Sequence, residues 1–363
     1  MDKNTNCDRS STKFLHVVGA RPQFVKLAAL SREIRKQYQE VIIHTGQHYD
    51  SNMSDSFFTD MDIPLPDYNL EAGSGSQAAQ TARMLEGIEK VVLTEQPDMI
   101  VIYGDTNSTL AAALVGAKLQ IPTAHVEACL RSFNRSMPEE INRIVADHTS
   151  DILLCPTQTA MHNASAEGLL AKSYLVGDVM VDSVAYGVSK AAQTSKILST
   201  LDLKPGSFSL LTLHRPYNVD DPANLKHILD GLNSLGETVI FPVHPRTRKV
   251  ITDRIQATWA NILLIDPLSY LDFMMLHQNA KRMITDSGGV QKEAYLLHKP
   301  CITLRTETEW TETVESGWNL LLPPNSPTFP DQISTFLPPA AHPDLYGTDV
   351  SQGIVKLLIE KLQ

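Results

Sequence analysis

Short runs of apolar residues alternate along this chain with amphipathic segments of helical spacing. The predicted strands cover residues 13–19, 40–46, 99–105, 122–127, 151–157 and 173–178, and then 208–214, 238–244, 261–266, 282–286, 300–304 and 319–323. The segments between them show helical patterns, as residues 111–119 and 141–148 do. Continuously apolar strands that alternate with helices are typical of parallel sheets covered on both faces. The pattern therefore predicts an α/β fold.

The strand–helix pattern is interrupted once and then starts again. A helical stretch near 179–198 is followed by the Pro/Gly-containing segment "LDLKPGS" at 201–207, and an amphipathic helix is predicted for 349–363. A chain of 363 residues exceeds what one hydrophobic core normally serves. We expect two Rossmann-like domains, one formed by 13–182 plus 349–363 and the other by 183–348.

Charge and cysteine content narrow the class of protein. The net charge is −10 and no Lys/Arg run exceeds a dipeptide, which disfavours nucleic-acid binding but allows a small anionic ligand. The four cysteines, at positions 7, 129, 155 and 301, lack CxxC spacing, so neither a zinc site nor a disulfide framework is predicted. The polar N-terminus lacks a signal-peptide core, and no apolar run approaches the ~20 residues of a membrane span. We expect a cytoplasmic protein without a membrane segment.

Ligands of open α/β sheets bind at the carboxyl ends of the strands. In this chain, two positively charged side chains follow the first predicted strand. The segment "GARPQFVK" places Arg21 at the strand end and Lys26 one turn into the next helix. Its spacing fits neither a dinucleotide fingerprint nor a P-loop. Two cations here can hold a pyrophosphate; the alternative is a surface arginine and an ordinary helix lysine.

The segment "TDSGGVQKEA" is the strongest phosphate-binding pattern in the chain. Ser287 can cap the next helix, and Gly288 and Gly289 let backbone N–H groups approach an anion at its N-terminus. Arg305, one strand further along, strengthens this interpretation over that of an ordinary strand–helix turn. Glu293 lies six residues after Ser287 and fits a ribose hydroxyl better than a phosphate.

Three carboxylates are expected near one point of the first half. Asp105 and Glu127 end successive predicted strands, and Glu139 begins the next helix. Asp105 could instead cap a helix, and Glu139 could be a first-turn charge, as Glu140 is expected to be. Clustered carboxylates push one another's pKa values apart, which provides a base and an acid near neutral pH.

His214 ends the first strand of the second half. It can shuttle a proton or contact a leaving phosphate; the alternative is a structural role. Because both halves place charged groups at strand ends, we expect a cleft between the two domains.

These motifs together resemble the non-hydrolysing UDP-N-acetylglucosamine 2-epimerases over nearly the whole chain. The resemblance rests on "GARPQFVK", "YGDTNST", "HVEACLRS", "PEEINR", "LHR", "PVHPRT", "TDSGGVQKEA" and "LRTETEW". It implies a glycosyltransferase-B-like arrangement of two Rossmann-like domains, a homodimer, and no NAD or metal cofactor.

The family chemistry implied by the resemblance is elimination and re-addition of UDP. A base removes the C2 proton while UDP leaves C1, and a proton then returns to the opposite face of the bound 2-acetamidoglucal. This would convert UDP-GlcNAc into UDP-ManNAc for cell-surface polysaccharide precursors. The positions that match the family's catalytic residues are Asp105, Glu127, Glu139 and His214. Those that match its substrate-binding residues are Arg21, Lys26, Ser287, Gly288, Gly289, Glu293, Arg305 and, near the uracil, Phe273.

The sequence departs from the family pattern at several positions. Cys129 replaces a glycine, and a positive φ there would cost roughly 1–2 kcal/mol. Tyr217 replaces a glutamate, "QHYD" replaces "QHR", and an expected arginine near 70–76 is missing. Because the last two belong to an allosteric UDP-GlcNAc site in many bacterial members, we predict weak or absent activation by substrate.

Four alternatives to this activity remain open at this point. The motifs also resemble the branch that acts on UDP-2,3-diacetamido-2,3-dideoxy-glucuronic acid. A hydrolysing 2-epimerase would share most of them. A glycosyltransferase would use a similar UDP site but has less use for three carboxylates. A non-catalytic UDP-sugar sensor would not need Asp105 for turnover.

Overall fold

The computed structural model describes residues 11–46, 57–326 and 328–363, which form two compact units. Unit 1 contains the chain up to Ser183 together with Leu345–Gln363, and unit 2 is Val184–Asp344. Each unit contains one parallel sheet. The predicted α/β class is therefore confirmed.

The described residues of unit 1 form a sheet of seven strands in the order β3-β2-β1-β4-β5-β6-β7. The strands are β1 Lys13–Val18, β2 Gln39–His44, β3 Tyr68–Asn69, β4 Met99–Tyr103, β5 Thr123–Val126, β6 Ile152–Cys155 and β7 Ser173–Leu175. The six predicted strands are confirmed, and β3 was missed. Leu15 of β1 is in register with Val41 on one side and with Ile100 on the other.

Helices connect these strands and bury their apolar side chains on both faces of the sheet. They are α1 Arg21–Ile34, α2 Gln77–Glu95, α3 Asn107–Leu119, α4 Pro138–Thr149 and α5 Gln158–Ala166, with a 3₁₀ turn at Leu170–Lys172. Helix α6, Met180–Thr194, contains the boundary between the two units.

Unit 2 repeats the same plan with six strands in the order β10-β9-β8-β11-β12-β13. The strands are β8 Phe208–Thr212, β9 Thr238–Pro242, β10 Ile262–Ile265, β11 Arg282–Thr285, β12 Cys301–Thr303 and β13 Asn319–Leu321, all of them predicted. Leu211, Phe241 and Ile284 are completely buried in its core. This is the strand order of a Rossmann fold.

The helices of unit 2 lie between these strands and after the last of them. They are α7 Ile197–Thr200, α8 Pro216–Val219, α9 Pro222–Asn233, α10 Pro245–Val250, a π-helical turn at Ile251–Ile255, α11 Tyr270–Asn279, α12 Gly288–Leu296, α13 Thr311–Glu315 and α14 Phe329–Thr335.

The C-terminal helix α15, Val350–Leu362, belongs to unit 1 and packs against α1. The Ser351 N–H and hydroxyl donate hydrogen bonds to Asp182 Oδ2 over 2.6 Å and 2.5 Å. The carboxylate thus satisfies a donor in the first turn of the helix, where backbone N–H groups have no intrahelical partner. The predicted terminal helix is confirmed.

The strand order brings particular strand ends together. In unit 1, β4 lies between β1 and β5, so the segments after these three strands meet at one edge of the sheet. In unit 2, β11 lies between β8 and β12. Within the described ranges, no helix is long and apolar enough to cross a bilayer.

Candidate active site

Of the three predicted carboxylates of unit 1, Glu127 and Glu139 both lie within electrostatic range of Asp105. Asp105 follows β4 after one intervening residue, Glu127 follows β5 directly, and Glu139 is exposed in the first turn of α4. Burial raises the pKa of Asp105; the charges of Glu127 and Glu139 add to this shift, whereas Arg143 and Lys26 oppose it. The structure therefore brings these carboxylates together, as the sequence predicts.

Lys26 of α1 forms an ion pair with Glu127. Its Nζ contacts Glu127 Oε2, and both side chains are only 9% exposed. Gly104 has φ +61°, and a Cβ built on it would lie 3.3 Å from Nζ and 3.6 Å from Oε2. A glycine at this turn therefore leaves room for the pair. A role of Lys26 toward pyrophosphate stays a prediction, and the side chain of Arg21 lies outside the described residues.

Arg143 was missed by the sequence reasoning. It contacts Asp105 Oδ2, and its Nη2 lies 2.8 Å from Glu140 Oε2. Glu140 is 1% exposed and also accepts hydrogen bonds from the backbone N–H groups of Ser132 and Phe133, both over 2.9 Å. Burial opposes ionisation of Glu140, but these hydrogen bonds and Arg143 hold its pKa below the usual value. Glu140 thus holds the preceding loop and is more than a first-turn charge.

The backbone after β5 adopts left-handed conformations. The φ angles are +67° at Glu127 and +62° at Cys129. The family glycine replaced by Cys129 therefore occupies a position that favours glycine. The Cys129 side chain is 1% exposed and packs in a small apolar cluster with Leu153 and Cys155. The strain expected for this substitution is present beside Glu127.

Asp286 organises the strand ends of unit 2. It is completely buried and accepts hydrogen bonds from His214 N at 3.0 Å, Arg215 N at 3.0 Å and Asn218 Nδ2 at 3.0 Å. His214 Nδ1 also lies 3.0 Å from Asp286 Oδ1, and the His214 side chain is 55% exposed. Burial opposes ionisation of Asp286, but the hydrogen bonds from His214, Asn218 and the Arg215 backbone lower its pKa.

The glycine-rich start of α12 is partly open. Ser287 occupies the N-cap position, but its side chain makes no capping hydrogen bond, contrary to the expectation from sequence. A Cβ on Gly288 would lie 2.1 Å from Glu309 Oε1, so only glycine fits there without a shift of Glu309. A Cβ on Gly289 would meet no atom of the described chain within 4 Å. The helix start therefore has free space at its second glycine.

Arg305 lies at the end of β12 with its side chain 9% exposed. Its Nη1 lies 2.9 Å from Glu309 Oε2. Burial raises the pKa of Tyr217, although Arg305 and Arg215 oppose the shift. Tyr217, at the position of the family glutamate, therefore lies within electrostatic range of a predicted nucleotide-binding residue.

Phe273 and Glu293 are connected through His277. The Phe273 and His277 ring centroids are 5.6 Å apart, and His277 Nδ1 lies 4.0 Å from Glu293 Oε2. Burial lowers the pKa of His277 to about 3, so its imidazole is neutral at neutral pH. The structure thus places the residues predicted for the uracil and the ribose on two neighbouring helices of unit 2.

The segment "QHYD" at 47–50 lies outside the described residues. In the other departing segment, Arg83 of α2 donates from Nε to the Ala72 carbonyl over 2.8 Å and from Nη2 to the Ser74 carbonyl over 3.1 Å. No group of three or more His, Cys, Asp or Glu side chains suited to a metal occurs in the part of the chain that the structure describes. The prediction of weak substrate activation stays a prediction.

Two Rossmann-like units, one with clustered carboxylates and one with an open glycine-rich helix start beside an arginine, define a class of α/β enzymes that act on nucleotide sugars. Within this class, the chain belongs to the UDP-N-acetylglucosamine 2-epimerase family, whose profile matches residues 32–358. The resemblance seen in the sequence is confirmed.

Several relatives match nearly the whole chain. A UDP-N-acetylglucosamine 2-epimerase homolog of Methanococcus maripaludis is 50% identical over 332 residues, 90% of this chain and 93% of its own. The UDP-2,3-diacetamido-2,3-dideoxy-D-glucuronate 2-epimerase of Pseudomonas aeruginosa is 48% identical over 319 residues, 85% of this chain and 88% of its own. The crystal structure of Methanocaldococcus jannaschii UDP-GlcNAc 2-epimerase with UDP-GlcNAc and UDP superposes with a TM-score of 0.84 and 40% identity, covering 96% of this chain and 99% of that one.

Proposed function

We propose that this protein is a non-hydrolysing 2-epimerase that interconverts UDP-GlcNAc and UDP-ManNAc by elimination and re-addition of UDP. One observation carries the proposal: Asp105 has a raised pKa, and the charges of Glu127 and Glu139 contribute to it. Carboxylates whose pKa values differ can remove a proton at C2 and return one to the opposite face.

The ion pairs of unit 1 support a role in proton transfer. Arg143 and Lys26 favour the ionised forms of Asp105 and Glu127, which a base requires. Burial of Asp105 works in the opposite direction and brings its pKa closer to neutrality. Exposed Glu139 would provide the remaining carboxylate of the proposed catalytic set.

The strand ends of unit 2 support binding of the nucleotide. Ser287, Gly288 and Gly289 would offer backbone N–H groups to the phosphates at the start of α12. Arg305 would neutralise phosphate charge, and Glu293 would bind the ribose. We assign to Phe273 a contact with uracil, to His214 a contact with the leaving phosphate or its proton, and to Arg21 and Lys26 contacts with pyrophosphate.

The proposal includes three further properties of the family. The enzyme would need neither NAD nor a metal, because elimination and re-addition cause no net oxidation. The electron pair of the broken C2–H bond would form the C1–C2 double bond while the C1–O pair leaves with UDP, and re-protonation at C2 with re-addition of UDP at C1 reverses both changes. It would form a homodimer. It would act in the cytoplasm on precursors of cell-surface polysaccharides.

A second candidate substrate is UDP-2,3-diacetamido-2,3-dideoxy-glucuronic acid. The observation that favours it is the 48% identity with the Pseudomonas aeruginosa enzyme, which exceeds the 44% identity with the UDP-N-acetylglucosamine 2-epimerase of Methanocaldococcus jannaschii. The chemistry at C2 would be the same.

The test is proton NMR of the purified protein with UDP-GlcNAc in D₂O, without added NAD or metal. UDP-ManNAc with deuterium at C2 is the expected product. Free ManNAc and UDP would instead identify a hydrolysing 2-epimerase. If UDP-GlcNAc is unchanged, the same experiment with the diacetamido-uronate decides for the second candidate, and no reaction with either would refute the proposal.

A further inference from the structure

A chain of paired polar and charged side chains, most of them buried, lies near the strand ends that carry Asp105 and Glu127. It consists of His125, Asp147, Arg131 and Glu167. The side chains of His125 and Asp147 are completely buried, and that of Arg131 is 1% exposed. None of these residues belongs to the proposed catalytic or substrate-binding set. Burying charged groups costs free energy even when they are paired, so a role for this chain is worth seeking.

Asp147, on α4, connects three groups through its two carboxylate oxygens. Its Oδ1 lies 2.7 Å from His125 Nδ1. Its Oδ2 accepts hydrogen bonds from the Cys129 backbone N–H over 3.1 Å and from Arg131 Nη1 over 2.6 Å. On its far side, Arg131 pairs with both oxygens of Glu167 at 2.7 Å. One buried carboxylate thus fixes the backbone two residues after Glu127.

His125 connects the same carboxylate to the other strand end. Its Nε2 lies 2.7 Å from the Gly104 carbonyl oxygen, and its Nδ1 faces Asp147. A carbonyl only accepts hydrogen bonds, and the pKa of Asp147 is lowered because His125 and Arg131 outweigh the effect of burial, so Asp147 is ionised and also accepts. The ring of His125 thus bridges the Asp147 carboxylate and the carbonyl of Gly104, the residue before Asp105.

His125 and Asp147 each contact the backbone next to a proposed catalytic carboxylate: His125 at Gly104 and Asp147 at Cys129. Gly104 directly precedes Asp105, and the turn from Glu127 to Cys129 contains two residues with left-handed φ. Such strained residues persist only where the surrounding structure holds them, and hydrogen bonds to a charged acceptor are the stronger kind. The charged chain provides this constraint at both places.

We propose that Asp147 and His125 are positioning residues that fix the carboxylates of Asp105 and Glu127 relative to each other for proton transfer at C2. The inference rests on the proposed function. It assigns no substrate contact to either residue. Because the geometry of reacting groups affects the chemical step, their loss is expected in kcat and not in nucleotide affinity.

The test compares Asp147→Asn and His125→Gln with wild type on whichever of the two candidate substrates wild type converts. We expect kcat to fall at least about tenfold, since displacement of reacting groups by an ångström can cost about 100-fold. KM and the Kd for UDP are expected to stay within about twofold, because the phosphate-binding groups are untouched.

Asp182→Asn is the matched control. Asp182 lies in the same unit and also accepts backbone and side-chain hydrogen bonds, from Ser351, but it is remote in sequence from both strand ends. The Asp182→Asn substitution should lower the unfolding temperature without lowering kcat. If Asp147→Asn lowered kcat no more than Asp182→Asn at a similar loss of stability, the role would be structural and the proposal wrong.

A rescue experiment examines the strained turn directly. In the Asp147→Asn background, Cys129→Gly should raise kcat at least about threefold, because glycine adopts left-handed φ without strain. Cys129→Ala, which keeps a Cβ, should not. Recovery with both variants, or with neither, would contradict a role of Asp147 in holding this turn.

The outcomes separate this inference from the proposed function. If wild type converts neither substrate, both fail. If wild type is active and a folded Asp147→Asn has the wild-type kcat, only the inference fails. Should Asp147→Asn not fold, His125→Gln decides in the same way, since it removes the connection to Gly104 from the other end.

Discussion

In each unit, one buried aspartate organises the strand ends. The conformation of the backbone around that aspartate differs between the two units. Asp147 holds the turn at 127–129 in unit 1, and Asp286 holds the turn at 214–215 in unit 2. In unit 1, Glu127 and Cys129 of the held turn and Gly104 before Asp105 have positive φ. In unit 2, the described segments 213–218 and 286–293 contain no residue with positive φ.

The two regions therefore differ in backbone strain and in the exposure of their functional groups. Glu127 is paired and 9% exposed, whereas His214 is 55% exposed and Gly289 has free space beside it. Backbone strain clusters at functional sites, where it can preorganise reacting groups. The comparison supports the proposal that unit 1 carries most of the proton transfer and unit 2 most of the nucleotide binding.

Asp105→Asn should have the largest effect. We expect kcat to fall at least about 100-fold, as removal of a general acid or base does, while UDP still binds. Steady-state kinetics and calorimetric UDP titration measure the two quantities. Glu86→Gln, an exposed carboxylate of unit 1 paired with Lys90, is the control and should change neither. Equal losses of kcat and UDP affinity in Asp105→Asn would remove the distinction between the units.

Arg305→Ala should have the reverse pattern. Hydrogen bonds to charged groups contribute about 1.5–3 kcal/mol, so we expect the Kd for UDP to rise about 10- to 100-fold. The effect on kcat at saturating substrate should be smaller. Lys226→Ala, an exposed residue of unit 2 paired with Asp230, is the control. A normal Kd for UDP in Arg305→Ala would show that the cation at β12 does not serve the nucleotide.

Arg143→Gln should change the pH dependence of turnover. Arg143 lowers the pKa of Asp105 against the effect of burial, so its removal raises that pKa further. Asp105 would then stay protonated to a higher pH, and the acid limb of the profile of kcat against pH should shift to higher pH. A shift of this limb to lower pH would contradict the assignment of Asp105 as a group that acts in its ionised form.

The smallest effect is expected from substituting Cys129 alone, which has a left-handed φ. Cys129→Gly and Cys129→Ala differ by one methyl group, and only the alanine keeps the penalty of a left-handed φ, about 1–2 kcal/mol. Glycine loses part of this advantage through its more flexible unfolded chain. We expect the glycine variant to be more stable by about 1 kcal/mol in urea unfolding. If alanine were equal or better, the positive φ at 129 would carry no strain.

The sequence predicted the strands well because their apolar runs are long and uninterrupted. It missed β3, Tyr68–Asn69, whose two residues contain no such run. It also predicted that Asp105 and Glu127 end neighbouring strands, because strand ends in parallel sheets share one edge. The expected cap by the Ser287 side chain was wrong, because a suitable residue type does not fix the rotamer.

The partners of the carboxylates were harder to predict because they lie far away in sequence. Lys26 is 101 residues from Glu127, and Arg143 is 38 residues from Asp105. One local signal was present: Arg143 follows Glu140 by three residues on a helix, a spacing typical of ion pairs. No local pattern indicated that Asp147 would reach the backbone of Cys129.

The most direct test of the central claim is the rate of C2 deuterium incorporation in D₂O by wild type and Glu127→Gln, together with their Kd for UDP. The claim is that unit 1 transfers the C2 proton while unit 2 binds the nucleotide. It predicts deuterium at C2 with wild type, at least about 100-fold slower exchange with Glu127→Gln, and similar Kd values for UDP. Exchange by Glu127→Gln at the wild-type rate would contradict it.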